Sequence, residues 1–124
     1  MNNLRKATIT TLEVAEMMET EHWKLLRKLD GRTGKDGQHE RGYIEILNDN
    51  HLVVADYFIK SSYLDAKGEV RPCYEVTYLG CDFLANKSTG ENGIVFTAKY
   101  VKRFYELEGQ SYSSGQLDTA VLKG

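Results

Sequence analysis

The sequence has no apolar run of the length that a membrane helix needs. A span requires about 18 consecutive apolar residues, and the charged residues, 27% of the chain, interrupt every hydrophobic stretch before that length. The first eleven residues are basic but lack the apolar core of a secretion signal. We therefore expect no membrane segment, no signal peptide and a cytoplasmic location.

An excess of positive charge is also missing. The chain has 16 Lys and Arg residues against 18 Asp and Glu residues, which gives a formal net charge of -2. A protein of this balance cannot rely on overall charge to attract a nucleic acid. Any nucleic-acid site must therefore be a local cluster of bases.

Cysteine and histidine are scarce and scattered. Cys73 and Cys81 fall in different predicted elements, so two free, buried thiols in a reducing compartment are expected. His22 lies on an apolar helical stripe and is predicted to be a hydrogen-bonded core or capping residue. His39 and His51 have no partners at ligand spacing. We expect no metal, no cofactor and no enzymatic activity, since no convergent pair of titratable groups is evident.

Two short helices are predicted early in the chain. Thr10 starts a capping-box pattern for a helix over 11–18. Thr20 is predicted to cap a second helix over 21–30 that ends at Gly31. Two helices joined by a short turn are typical of a helix-turn-helix, in which the first supports a second that lies in the DNA major groove. A helical hairpin that only packs is the alternative.

Positive charge is concentrated on the second helix and on the segment after it. Residues 20–35 carry five bases against two acids, whereas 11–19 carry three acids and no base. The predicted outward face is basic, as phosphate contacts require, although an ordinary solvated face has the same composition. The residues predicted to face DNA are Thr20, Trp23, Lys24, Arg27 and Lys28. Of these, Lys24 and Arg27 are expected to contact base edges or phosphates.

The segment after the second helix is rich in glycine and polar residues. Four glycines within 31–42 predict a mobile loop. Weak strands are predicted over 43–47 and 51–55, and the first of them fits a helix equally well.

A β-hairpin is predicted in the centre of the chain. Its strands cover 57–64 and 69–76, and the turn between them begins with Asp and ends with Gly, which favours a type I turn. Pro72 must face away from the partner strand or mark a bulge, because it has no N–H to donate. The hairpin is either a DNA-contacting wing or a core hairpin with solvated charges. Its bases are Lys60, Lys67 and Arg71.

Two helices are predicted to close the fold. Thr77 caps a helix over 78–87, and a longer amphipathic helix covers 94–108. Its apolar stripe indicates either core packing or a homodimer interface. The stripe consists of Phe96, Tyr100, Phe104 and Leu107. Residues 109–124 are predicted to form a tail, with a short helix over 117–122.

Several motifs follow one another in a fixed order. They are Thr20-x-His22-x-x-Leu25-Leu26-Arg27-x-Leu29, Phe58-x-x-Ser61-Ser62-Tyr63-x-Asp65-x-x-Gly68-x-x-Arg71-Pro72-x-Tyr74, Thr77-x-x-Gly80, Leu84-Ala85, Thr89-Gly90 and Tyr100-Val101-x-x-Phe104-x-x-Leu107-Glu108. Their order and spacing resemble the Rha family of phage regulatory proteins. One departure is Glu19, which stands where the turn before the second helix usually has glycine.

This resemblance implies a phage- or prophage-encoded regulator that acts in the bacterial cytoplasm. We therefore predict an α+β, winged-helix-like domain over 1–108, with an N-terminal helix-turn-helix pair, a small antiparallel sheet and two C-terminal helices. The first functional hypothesis is a transcription regulator that binds double-stranded DNA. The second is an antirepressor that docks a repressor protein through Glu13, Glu16 and Glu19 and does not contact DNA.

Overall fold

A computed structural model describes residues 7–109, which form five α-helices, five short strands and one 3-10 turn. In chain order the elements are β1 (Thr8–Thr10), α1 (Thr11–Met18), α2 (His22–Asp30), β2 (Gly31–Thr33), β3 (His39–Arg41), α3 (Tyr43–Asp49), the 3-10 turn (Val54–Asp56), β4 (Phe58–Leu64), β5 (Val70–Thr77), α4 (Tyr78–Ala85) and α5 (Gly90–Gly109). The predicted α+β class is confirmed. The tail and short helix predicted beyond residue 109 lie outside the described residues.

The first helix forms as predicted, and the second begins later than predicted. The Glu13 N–H donates to Thr10 Oγ1 at 3.3 Å, which is the N-cap half of the predicted capping box, whereas the Glu13 carboxylate binds Arg103. The prediction that Thr20 caps α2 is wrong. The Thr20 N–H donates to the Ala15 carbonyl at 3.0 Å, so this residue closes the end of α1. Helix α2 begins at His22 without a side-chain cap and ends at Gly31, as predicted.

The main sheet has three antiparallel strands in the order β1-β5-β4. Strand β1, which the sequence analysis missed, pairs only with Glu75–Thr77 at the end of β5. Strand β4 pairs with β5 along its whole length, so the hairpin extends well beyond β1. Pro72 lies in regular register opposite Ser62. Its nitrogen faces away from β4, on the same side as the Tyr74 N–H that donates to Thr11 Oγ1, as predicted.

The core lies between the sheet and the helices. The most deeply buried apolar side chains are Val14, Leu25, Leu29, Phe58, Val76, Leu84 and Phe96. Burial of a side chain of this size stabilises the fold by about 2 kcal/mol. Cys73 and Cys81 are buried free thiols, as predicted. Helix α5 begins at Gly90, four residues before the predicted start, and α4 ends at Ala85 rather than at residue 87.

The segment over 31–56 differs most from the prediction. The expected mobile loop over 31–42 is an antiparallel hairpin of β2 and β3. The expected strand over 43–47 is helix α3, the alternative that the sequence left open, and it buries Leu47. The expected strand over 51–55 is replaced by the 3-10 turn. Neighbours distant in sequence stabilise this region, among them Phe83, whose ring packs edge-on against Tyr43 at 5.4 Å.

Candidate functional site

The turn between α1 and α2 is tight and left-handed. Glu19 has φ 58° and ψ 46°, a conformation that costs an L-residue roughly 1–2 kcal/mol. Its N–H donates to the Glu16 carbonyl at 3.1 Å. This residue stands where the sequence predicted the turn of a helix-turn-helix. The turn geometry is therefore present even though the usual glycine is not.

Helix α2 has one buried face and one cationic face. Leu25 and Leu29 are 1% and 0% exposed and face the core, as predicted. The outward side chains are Trp23, Lys24, Arg27 and Lys28, all of them exposed. Lys24 Nζ lies 5.7 Å from the Trp23 ring centroid. Within residues 7–109 no ion pair involves the three bases of this face, which leaves their charges available to a ligand. Thr20, also predicted to face DNA, is half-buried in the turn.

The N-terminal end of α2 is fixed by a hydrogen-bonded histidine. His22 Nε2 lies 2.8 Å from Thr11 Oγ1, which also accepts from the Tyr74 N–H at 3.2 Å. The His22 ring packs edge-on against Tyr63 at 5.8 Å. Burial lowers the pKa of His22, which favours the neutral form of the ring. The predicted hydrogen bond of His22 is confirmed, but the residue is half-buried and neither belongs to the core nor caps a helix.

The C-terminal end of α2 is fixed by a contact that the sequence analysis missed. The Tyr74 hydroxyl donates to Asp30 Oδ1 at 2.6 Å. Burial and the Asp30 carboxylate raise the pKa of Tyr74, so the hydroxyl stays protonated and remains a donor. Both ends of α2 are thus tied to the β4–β5 hairpin, which holds the cationic face in a defined orientation. No local sequence pattern indicates a pair separated by 44 positions.

Of the three predicted bases on the β4–β5 hairpin, one is in an ion pair and two are not, among the residues that the structure describes. Lys60 and Lys67 are exposed and have no ion pair within the described part of the chain. Arg71 Nε lies 2.9 Å from Asp65 Oδ2, and its guanidinium also lies 3.4 Å from Glu69 Oε1. The Arg71 guanidinium lowers the pKa of Asp65. The charge of Arg71 is therefore balanced within the turn of the hairpin.

The apolar stripe of helix α5 packs into the core. Phe96, Tyr100 and Phe104 are 0%, 2% and 2% exposed, so they form the core and are inaccessible to a second copy. Arg103 Nε lies 2.6 Å from Glu13 Oε2, which ties α5 to α1. Of the two predicted alternatives for these three side chains, core packing is the one observed, and a homodimer through other residues of α5 stays a prediction. Leu107, the fourth residue of the predicted stripe, is partly buried.

Neither a metal cluster nor a membrane helix occurs in the part of the chain that the structure describes. Over residues 7–109 no three His, Cys, Asp or Glu side chains lie close enough to hold a metal ion. Within the same range no helix is long and apolar enough to cross a membrane.

Comparison with known proteins gives the class of the protein and then its family. The family model described as phage regulatory protein Rha matches residues 9–109, so the chain is a phage regulatory protein. It belongs to the Rha family, as its motifs predicted. The family is a regulatory one.

One relative shows the same relationship. The protein YoqD of Bacillus subtilis (strain 168), named as a candidate antirepressor derived from the SPbeta prophage, is 39% identical over 100 residues. The match covers 81% of this chain but 36% of YoqD, so the chain spans little more than a third of that relative's length. No solved structure matches the chain.

Proposed function

We propose that this regulator binds duplex DNA through α2, and that α1 and α2 act as a helix-turn-helix. The proposal rests chiefly on one observation: the exposed face of α2 carries Lys24, Arg27 and Lys28 without ion-pair partners in residues 7–109. Lysine and arginine bind phosphates, and arginine also reads guanine in the major groove. Lys24 and Arg27 are assigned to base edges or phosphates.

The surrounding elements of residues 7–109 support a winged-helix-like arrangement. The domain that we propose covers 1–108, and 109–124 are assigned to a tail, although α5 itself ends at Gly109. A winged helix has one strand before its helix pair and a hairpin after it, and the three strands form one sheet. Here β1 precedes α1 and α2, the β4–β5 hairpin follows after the β2–β3 hairpin and α3, and the strand order of the sheet is β1-β5-β4. Lys60 and Lys67 are then placed to contact the DNA backbone. Arg71 contributes only if its bonds to Asp65 and Glu69 open.

Fluorescence anisotropy with random duplex DNA over a salt series tests this proposal. Each phosphate contact adds about 0.9 to the slope of log K against log salt. The Lys24→Ala/Arg27→Ala variant is therefore expected to lose up to about two units of slope. The matched control is Lys99→Ala/Lys102→Ala, which removes the same charge from exposed positions of α5. Equal losses in the two variants would contradict a specific role for α2.

Docking of a repressor protein is the second candidate function. The name of YoqD as a candidate antirepressor favours it, as does the net charge of -2. Glu16, Glu19 and Glu21 are exposed around the α1–α2 turn and offer an acidic surface to a basic partner. Glu13, which the sequence analysis included in this surface, is instead paired with Arg103.

A prophage-repressor reporter strain separates the two functions. If the chain acts by docking, Glu16→Lys/Glu21→Lys abolishes derepression and Lys24→Glu/Arg27→Glu leaves it intact. If the chain acts on DNA, the effects of the two charge reversals are exchanged.

A further inference from the structure

The β2–β3 hairpin places two more bases beside α2. We propose that this hairpin, here called the arm (residues 31–42), is a second DNA-contacting element, in which Arg32 and Lys35 bind backbone phosphates next to the groove that α2 enters. The inference rests on the proposed function of α2. It assigns a role to a segment that the sequence analysis took for a mobile loop.

The arm leaves α2 on the cationic side of the helix. Gly31 ends the helix, and its N–H donates to the Arg27 carbonyl. It follows Arg27 by four positions and Lys24 by seven, and residues at this spacing share one face of a helix. The chain therefore enters the arm from the face that carries the α2 bases.

The joint between α2 and the arm is tightly packed because two glycines bring the backbones into close contact. A Cβ atom on Gly31 would lie 2.3 Å from the Glu40 carbonyl oxygen. A Cβ atom on Gly42 would lie 2.3 Å from both the Gly31 nitrogen and the Leu29 carbonyl oxygen. These distances are far below van der Waals contact, so no other residue fits either position without a backbone shift. The direction of the arm is consequently fixed relative to α2.

The basic side chains on one face of the arm have carboxylate partners, and Arg32 on the other face has none among the described residues. Arg41 and His39 share one face and bind carboxylates of α3, with Arg41 Nη1 2.7 Å from Asp49 and His39 Nε2 2.6 Å from Glu45. Arg32 lies on the opposite face, because side chains alternate along a strand. It is exposed and has no ion pair among the described residues, and the same holds for Lys35 in the turn. One face thus anchors the arm to α3, and the other leaves cationic groups accessible.

Duplex DNA is the partner that this placement fits. A recognition helix contacts base edges mainly through its N-terminal residues, so its C-terminal end lies near the sugar-phosphate backbone. A rigid hairpin that starts at that end brings its bases to the flanking phosphates. Glu40 lies opposite Arg32 in the register of β2 and β3, and its carboxylate weakens the local positive potential. Removal of this acid therefore strengthens the proposed contact.

The test extends the same anisotropy assay, with thermal unfolding to verify that each variant is folded. Arg32→Ala/Lys35→Ala is expected to lose up to about two units of the salt slope, at about 0.9 per phosphate. Glu40→Gln is expected to raise the affinity for DNA. Lys99→Ala/Lys102→Ala on α5 is the control of equal charge and is expected to keep the wild-type slope.

The outcomes distinguish the arm from α2. The arm proposal is overturned if Arg32→Ala/Lys35→Ala keeps the wild-type slope while Lys24→Ala/Arg27→Ala loses its own, and the function proposed for α2 then stands. It is also overturned if the α5 control loses as much slope as the arm variant, because net charge alone then explains the binding. If the wild-type chain does not bind DNA at low salt, the proposed function fails and the arm proposal fails with it.

Discussion

The two hairpins on either side of α3 are built by different means. The β4–β5 hairpin has strands of seven and eight residues and buries Phe58 and Val76 against the helices. The arm has strands of three residues and no buried side chain. It is fixed instead by close backbone contacts at Gly31 and Gly42 and by two exposed contacts to α3, the Arg41–Asp49 ion pair and the His39–Glu45 hydrogen bond. One hairpin is thus stabilised by apolar burial, and the other by its joint.

The largest expected effect is at the buried root of the β4–β5 hairpin. Phe58 is 2% exposed and pairs with Val76, which is 0% exposed. Phe58→Ala leaves a cavity there and is expected to lower the free energy of unfolding by about 3–5 kcal/mol, measured by urea denaturation. Ile59→Ala on the same strand is the control. Ile59 is 38% exposed, so a loss of about 1 kcal/mol or less is expected. Equal losses in both variants would refute stabilisation by burial.

A smaller effect is expected at the joint of the arm. An Ala Cβ at Gly42 meets backbone atoms, which side-chain rotation cannot relieve. Gly42→Ala is therefore expected to cost about 1–3 kcal/mol and to speed trypsin cleavage after Arg32 and Lys35. Gly37→Ala is the control in the turn of the arm. Its Cβ has open space, and only the positive φ of 84° is unfavourable, at about 1 kcal/mol.

The cleavage pattern decides between a rigid joint and a flexible one. The two variants are compared at equal global stability, for which a low concentration of urea is added to the more stable one. If the arm depends on its joint, trypsin cuts Gly42→Ala faster than Gly37→Ala. Equal cleavage rates would show that the close contacts at Gly42 do not hold the arm.

The difference between the hairpins explains why the sequence predicted the β4–β5 hairpin and not the arm. The longer hairpin has strands bounded by turn residues, and both its strands and its turn were predicted near their observed positions. The arm and β1 have strands of three residues, which are too short for alternation to appear. Contacts with distant elements decide both cases. A prediction from local pattern therefore gave a loop over 31–42 and no strand at Thr8–Thr10.

The candidate site also has features that the local sequence predicts and features that depend on distant contacts. The exposed face of α2 was predicted because a helix of nine residues shows the 3.6-residue period. The apolar stripe of Phe96, Tyr100 and Phe104 predicted either a core or an interface, because the sequence does not show which elements cover α5. The ties from α2 to β5 were missed for the same reason. Periodicity identifies a face, and only the tertiary structure identifies what lies against it.

The smallest expected effect concerns the histidine that ties α2 to the β4–β5 side. Protonation of His22 places a positive charge in a half-buried site beside Thr11 Oγ1, where burial disfavours the charged form of the ring. Because burial lowers the pKa of His22 in the folded state, the unfolded chain binds more protons below pH about 6.5. The contribution of His22 to stability is therefore present above that pH and is lost as the pH falls from about 6.5 through the folded-state pKa.

Urea denaturation of the wild type and of His22→Gln at a series of pH values measures this contribution. His39 and His51 are present in both proteins, so the difference between the two curves isolates His22. The wild-type free energy of unfolding is expected to fall towards that of the variant as the pH drops. Amide exchange at Tyr74, whose N–H bonds to Thr11, is expected to speed up over the same range. A pH-independent difference would show that His22 supports α2 by packing against Tyr63 rather than through its neutral ring nitrogen.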